Sequence, residues 1–319
     1  MNIKTALLAC ALAIAAPIAP ALAEDAPNYI EDMKRWQPKA EAGDAEAQFQ
    51  LGQMYALGHG FKQNFNSALE WYEKAAAQGN AKARTALGLL YYYGAGVEQN
   101  IDKAGEWFEK AAAQDNAIAQ RTLGFIAYLA KDYAQAKQWN EQAAAQGYAP
   151  AMSNIGNLYT AGEGVTQDFT EARRWYEKGA KQEKYAATSM NGLVHIYYEG
   201  KGVEKSEKQA IEWAEKSCAL ETLGSDQACT LIGNSYFEGE LGLPKDNQKA
   251  FEYSMKAAIN GNAGGAFVLR KLEESGFTFP ETEKEQASEF SEKFRDKQYW
   301  KSRGRMQTLK FLLNTHPQK

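Results

Sequence analysis

"TALGLLYYYGAG", Thr85–Gly96, is the stretch whose reading decides the fold. Three consecutive tyrosines run into a Gly-Ala-Gly turn. Alone, this pattern fits either an aromatic ligand cluster beside a glycine-rich loop or a corner of the chain. Recurrence separates the two. "FQLGQMYALGHG" (Phe49–Gly60), "SNIGNLYTAGEG" (Ser153–Gly164), "NGLVHIYYEGKG" (Asn191–Gly202) and "TLIGNSYFEGEL" (Thr230–Leu241) follow the same plan. A second motif alternates with it, as in "ALEWYEKAAAQG" (Ala68–Gly79), "AGEWFEKAAAQD" (Ala104–Asp115) and "ARRWYEKGAKQE" (Ala172–Glu183). The spacing is 36 residues from Gly52 to Gly88 to Gly124 and 32 from Gly124 to Gly156. Fixed self-similarity of this length is the mark of a repeat architecture.

Each unit reads as two helices. Ala81, Ala83, Leu87 and Tyr91 share one face at helical spacing. Gly88, beside Leu87, lets a neighbouring helix approach, and Gly94 and Gly96 stop the first helix because glycine accepts positive φ. A phosphate loop would need a strand before the glycines, and a helix precedes them here. Asn64, Asn100, Asp168, Ser206 and Asp246 stand where the second helix starts, and all are good N-caps. Ala104, Trp107 and Ala111 form the expected inner stripe of that second helix. The third unit, "FIAYLAKDYAQAKQW" (Phe125–Trp139), lacks the glycine loop, and its Lys131-Asp132-Tyr133 turn looks like a tetratricopeptide repeat. The ends are atypical, as caps of a stack should be. Pro27–Gly43 resembles a second helix only. After Asn262 the pattern decays: Arg270 replaces the glycine, Phe290 replaces tryptophan, and a final helix is expected over about Arg305–Asn314.

The 319 residues are 45% hydrophobic and 24% charged, which is ordinary for a globular chain. A net charge of −4 gives no reason to expect nucleic-acid or anionic-membrane binding. Lys4, the apolar run Ala6–Ala16 and the A-x-A site Ala21-Leu22-Ala23 read as a secretory signal cleaved after Ala23, too short to span a membrane. The alternative, a lipobox at Leu7-Leu8-Ala9-Cys10, places its cysteine too early. Cleavage leaves Cys218 and Cys229 in a periplasmic or secreted chain, where disulfides persist.

The pattern A-x-x-x-L-G-x-x-Y-x-x-G-x-G-V followed by A-x-x-W-Y-x-K-A-A-x-x-G resembles the Sel1-like repeat family, through six tandem units. The resemblance implies an all-α fold, a right-handed α-solenoid of helix-turn-helix repeats related to tetratricopeptide repeats. The organisation expected is a signal peptide over 1–23 and an N-terminal capping helix over 24–43. Six repeats follow over 44–79, 80–115, 116–147, 148–185, 186–224 and 225–261. A degenerate repeat and capping helices with a basic tail complete the chain over 262–319. "KSCALETLGSDQACTLIG" (Lys216–Gly233) resembles the cysteine-rich branch of the family, which implies a disulfide between Cys218 and Cys229. The alternative is two buried, reduced thiols. A Cα separation above about 7 Å would exclude the bridge.

The family resemblance implies that the chain holds other proteins, as an adaptor, an envelope regulator or an immunity protein that neutralises a secreted antibacterial effector. A solenoid has a concave wall lined by the outer face of each first helix. Taking residues about 150° from the buried stripe gives one row: Phe49, Gln53, Leu89, Tyr92, Arg121, Phe125, Tyr128, Asn157, Asn191, His195, Tyr198, Asn234 and Phe237. Aromatics where Lys and Glu would be ordinary mark an interface, and asparagines both donate to and accept from a peptide backbone. The competing account is that a tight superhelix buries this row. The stretch Arg295–Lys319 is strongly basic, either a solvated helix or a dock for an acidic surface.

Catalysis is not expected. The three histidines, His59, His195 and His316, have no cysteine or carboxylate at metal-ligand spacing, and no nucleophile or zinc motif occurs. Glu70, Glu106 and Glu212 lie at solvent positions of repeated helices. Neither a cofactor nor a metal is called for, and β-lactam or peptidoglycan chemistry is the weakest of the functions considered. The expected partner is a protein or peptide segment.

Overall fold

The computed structural model describes residues 29–182, 185–220, 222 and 224–314, the side chains at 30 and 310–314 excepted. The signal segment over 1–23 and His316 lie outside the described residues. Among those described there are sixteen α-helices and no strand. They alternate as first and second helices: α1 Tyr29–Glu41, α2 Ala45–Leu57, α3 Phe65–Ala77, α4 Ala81–Tyr93, α5 Ile101–Ala112, α6 Ala117–Leu129, α7 Tyr133–Ala145, α8 Ala149–Ala161, α9 Phe169–Ala180, α10 Ala187–Glu199, α11 Glu207–Ala219, α12 Ser225–Glu238, α13 Asn247–Ile259, α14 Ala263–Glu274, α15 Lys284–Lys293 and α16 Lys297–Asn314. This is the α-solenoid architecture of stacked helical hairpins.

The chain forms two compact units. Unit 1 comprises the residues up to Ala130 together with the stretch from Leu309, and unit 2 comprises Lys131–Thr308. Within unit 1, α2 packs on α3 and α4 on α5; within unit 2, α8 packs on α9, α10 on α11 and α12 on α13. In unit 2 consecutive first helices also touch, α8 with α10, α10 with α12 and α12 with α14.

The local chemistry follows the repeat. Asn64, Asn100, Asp168, Ser206 and Asp246 all cap their helices, accepting hydrogen bonds from backbone N–H groups two or three residues on. Gly94 closes α4 at φ +68°, where any side chain would be strained. In the third repeat Asp132 caps α7 instead, after Lys131 takes positive φ.

Alanine and glycine set the packing distance. A Cβ on Gly88 would lie 2.6 Å from the Phe108 ring, so helices α4 and α5 meet only because Gly88 has none. Ala83, Leu87, Leu90, Ala104, Phe108 and Ala111 are all fully buried. This corrects the inner stripe expected for the second helices. The residue after the tryptophan carries the core, as Tyr72, Phe108 and Tyr176, while Trp107 is half-buried with the Lys110 ammonium 4.5 Å from its ring centre. An indole lying on the surface offers its face to a cation and keeps its N–H wet.

The disulfide is formed. Cys218, late in α11, bridges Cys229 in α12 with a Cα separation of 5.0 Å, and both are buried. The last helix begins earlier than expected, at Lys297, because Asp296 accepts from the backbone N–H groups of Gln298 and Tyr299 and so fixes its start. Arg303 in α16 donates to the carbonyls of Ala258 and Ile259 at the end of α13. At least this part of the basic stretch is therefore spent on capping a helix C-terminus.

Candidate functional site

The row expected to face a partner divides into positions that recur in every first helix. Residues three before one repeated position, Gly52 in α2, Gly88 in α4 and Val194 in α10, tend to be inside. Phe49 is completely buried against Tyr72, with ring centres 5.8 Å apart, and Thr85 is also fully buried. Asn191 is buried too: its amide donates to the Gly224 carbonyl at 2.7 Å, and its oxygen accepts from Ser217 Oγ at 2.7 Å. Phe49 and Asn191 are thus corrections to the exposed row. Their position points toward the adjoining helices and does their packing.

The residue after that repeated position, which is glycine except for Val194 in α10 and Arg270 in α14, behaves differently along the chain. In unit 2, Asn157 and His195 are exposed and Asn234 is half-buried. In unit 1, Gln53 is 5% and Leu89 1% exposed, so these two are also corrected, while Phe125 is half-buried. The third position, three residues further on, is open in most repeats. Tyr128 is 39% and Tyr198 42% exposed, with Tyr92 and Phe237 half-buried. Arg121 is half-buried, its guanidinium 5.7 Å from the Phe125 ring centre.

Unit 2 therefore keeps an open row on α8, α10 and α12. Asn157 Oδ1 accepts from the Tyr176 hydroxyl at 2.7 Å, which fixes the amide and leaves its NH2 donating to no group among the described residues. Tyr198 lies under the Lys205 ammonium at 5.5 Å. Asn234 accepts from Lys271 Nζ at 3.4 Å, and the same ammonium bonds Glu238 at 2.5 Å and sits 4.9 Å from the Phe267 ring centre. Phe267, 45% exposed, and Lys271 were missed from the sequence. They occupy the same row in α14, three residues before and one after Arg270, which stands where the glycine is lost. Carrying the row one unit past the decay of the motif finds them.

Burial pushes the Tyr176 phenol up, with the Thr160 contact opposing it. The Lys201 ammonium holds the Glu199 carboxyl below its usual value. No cluster of three or more metal-ligating side chains occurs among the described residues. None of their helices is long and apolar enough to cross a membrane.

Hairpins stacked through glycine contacts, with aromatics and amides lined along successive first helices, define a helical-repeat binding protein. The chain belongs to the Sel1 repeat family, whose model matches residues 45–80, 81–116, 123–148, 149–184, 187–221 and 226–262. Sel1 repeats generally mediate protein–protein interaction. Among solved structures, the chain is similar to a Sel1 repeat protein from Oxalobacter formigenes, at 29% identity and TM-score 0.60, over 72% of this chain and 99% of that one. It is also similar to a protective antigen present in uropathogenic Escherichia coli strains displaying an SLR fold. There the identity is 31% and the TM-score 0.55, over 83% of this chain and 56% of the antigen, about half its length. An immunity protein from Pseudomonas aeruginosa is matched at 18% identity and TM-score 0.37, too distant to bear on function. No curated protein gives a significant match.

Proposed function

We propose that this chain is an exported, periplasmic scaffold without catalytic activity, and that the α8–α14 row of unit 2 binds a protein or peptide segment. The observation that carries the reading is the exposure of large aromatics, Tyr198 at 42% and Phe267 at 45%, on first helices of unit 2 that also carry the polar side chains of Asn157, His195 and Asn234. Solvated helix faces carry Lys and Glu there. Aromatic anchors with amides between them supply contact area and backbone-directed donors and acceptors. Arg121, Phe125 and Tyr128 make a separate, smaller patch on unit 1. The disulfide and the signal-like N-terminus support an oxidising compartment.

The test is capture by the chain from Glu24 onward, compared with a Tyr198→Ala/Phe267→Ala variant of unchanged helicity. Loss of one discrete partner in the variant supports the row, and equal capture contradicts it. The identity of that partner separates an envelope adaptor from an immunity protein, which would take a toxin and rescue poisoned cells.

A further inference from the structure

Arg84, Arg121 and Arg173 each bury a side-chain Nε that meets no hydrogen-bond acceptor among the described residues. Two of them are satisfied elsewhere in the guanidinium. Arg84 donates from Nη1 to Gln114 Oε1 at 2.8 Å and to the Lys110 carbonyl. Arg173 pairs with Glu177 across 3.7 Å. Arg121 has neither a hydrogen bond nor an ion pair among the described residues, and what it touches is the Phe125 ring.

The position sharpens the contrast. Arg121 stands three residues before Gly124, where other first helices hold Thr85, Ser153, Asn191 and Thr230. Each of those side chains is bonded within the fold, to the carbonyls of Ala81, Thr188, Gly224 and Asp226 respectively. A half-buried guanidinium brings a fixed charge and five donors, and leaving a buried donor unmatched is costly. The end of α6 beside it is apolar and open. Tyr128 is 39% and Leu129 52% exposed, and Ile126 is half-buried although its counterparts Leu90, Leu158 and Ile196 are 2% exposed or less. From Ala117 to Lys131 there is no acid, on a chain whose net charge is −4.

We propose that this end of α6 docks an acidic, apolar protein segment: a carboxylate side chain pairs with Arg121, and an apolar side chain of the same segment packs on Tyr128 and Leu129. A guanidinium lying over an aromatic ring keeps its donors at its edge, in the fork that fits a carboxylate. Arg121 and Tyr128 are seven residues apart on α6, about 10 Å along its axis. The acid and the apolar anchor of the segment are thus separated by about seven residues if it is helical and about three if it is extended. The site shares no residue with the α8–α14 row and stands apart from that reading.

Selection of a phage-displayed library of random dodecapeptides on the chain from Glu24 onward tests this. Enriched peptides are expected to carry Asp or Glu at one of those spacings from an apolar residue. They should bind Arg121→Gln at least about tenfold more weakly, as for one lost charge-assisted hydrogen bond. Arg121→Lys, which keeps the charge without the fork, should fall between, and Tyr128→Ala/Leu129→Ala should also bind weakly. Replacing the peptide's acid by its amide should cost as much on the unaltered chain and nothing further on Arg121→Gln. The Tyr198→Ala/Phe267→Ala variant should bind these peptides as the unaltered chain does. Selection that yields only peptides insensitive to Arg121→Gln, or in which the amide binds as well as the acid, overturns the proposal, as does an empty selection. If Arg121→Gln loses helicity, the Arg121→Lys chain and the amide peptide on the unaltered chain decide, and full binding in both sinks the idea.

Discussion

Tyr176, buried in α9, donates its hydroxyl hydrogen to Asn157 Oδ1 on α8 at 2.7 Å, linking the core of a hairpin to its open face. The hydroxyl also lies 3.2 Å from Thr160 Oγ1. A core side chain thus orients the amide that a partner would meet. Tyr176→Phe is expected to cost about 1 kcal/mol by chemical denaturation, the usual net contribution of one such bond. It should also weaken partner binding by releasing Asn157, whereas Trp175→Phe on the surface should not alter binding. Unchanged stability and binding in Tyr176→Phe would show that the bond does neither job.

Tyr72 holds the same place in the first repeat, but its hydroxyl is buried and meets no hydrogen-bond partner among the described residues. The second repeat has Phe108 there, so the site tolerates a plain ring. Tyr72→Phe is therefore expected to be neutral or stabilising, by up to about 1–3 kcal/mol of recovered desolvation. Burial pushes the Tyr72 phenol well above its ordinary value, so the folded chain holds it neutral. Its contribution is intact below the unfolded value near pH 10 and drains away as pH rises further. The advantage of Tyr72→Phe should thus widen in denaturation curves taken above about pH 10. A destabilised variant would mean that the hydroxyl has a partner.

The recurrence of Gly88 and Tyr91, with caps such as Asn100, made the hairpins legible in the sequence, because spacing and backbone chemistry are local. The row was legible only in part. Angular position on a helix separates Leu87 from Tyr198, but it does not say how close the next helix comes. Phe49 and Asn191 sit within an interhelical contact, so their burial depends on the stack and not on their own helix. Leu89 and His195 occupy the same angle, yet Leu89 is buried and His195 exposed. Phe267 and Lys271 were hidden by a different cause: the glycine that marks the register is Arg270 in α14, held in ion pairs with Glu273 and Glu274.

The Cys218–Cys229 bridge closes a short loop across α11 and α12. Replacing both cysteines by serine should destabilise the chain by about 2–3 kcal/mol, in proportion to the loop-closure entropy restored to the unfolded chain. Because repeats couple mainly to their neighbours, the loss should appear as faster amide exchange in α11–α13, with α2–α5 little changed. Uniform acceleration throughout would contradict the repeat-by-repeat account.

The most direct measurement of the central claim is site-specific photocrosslinking in the native envelope. A photoreactive phenylalanine at position 198, on the exposed row, is compared with one at position 212, exposed on α11. The account predicts a single discrete protein adduct at 198, reproduced with the purified partner and abolished by Asn157→Ala/Asn234→Ala, and none at 212. Equal adducts at both positions, or none at 198 while binding persists, would contradict it.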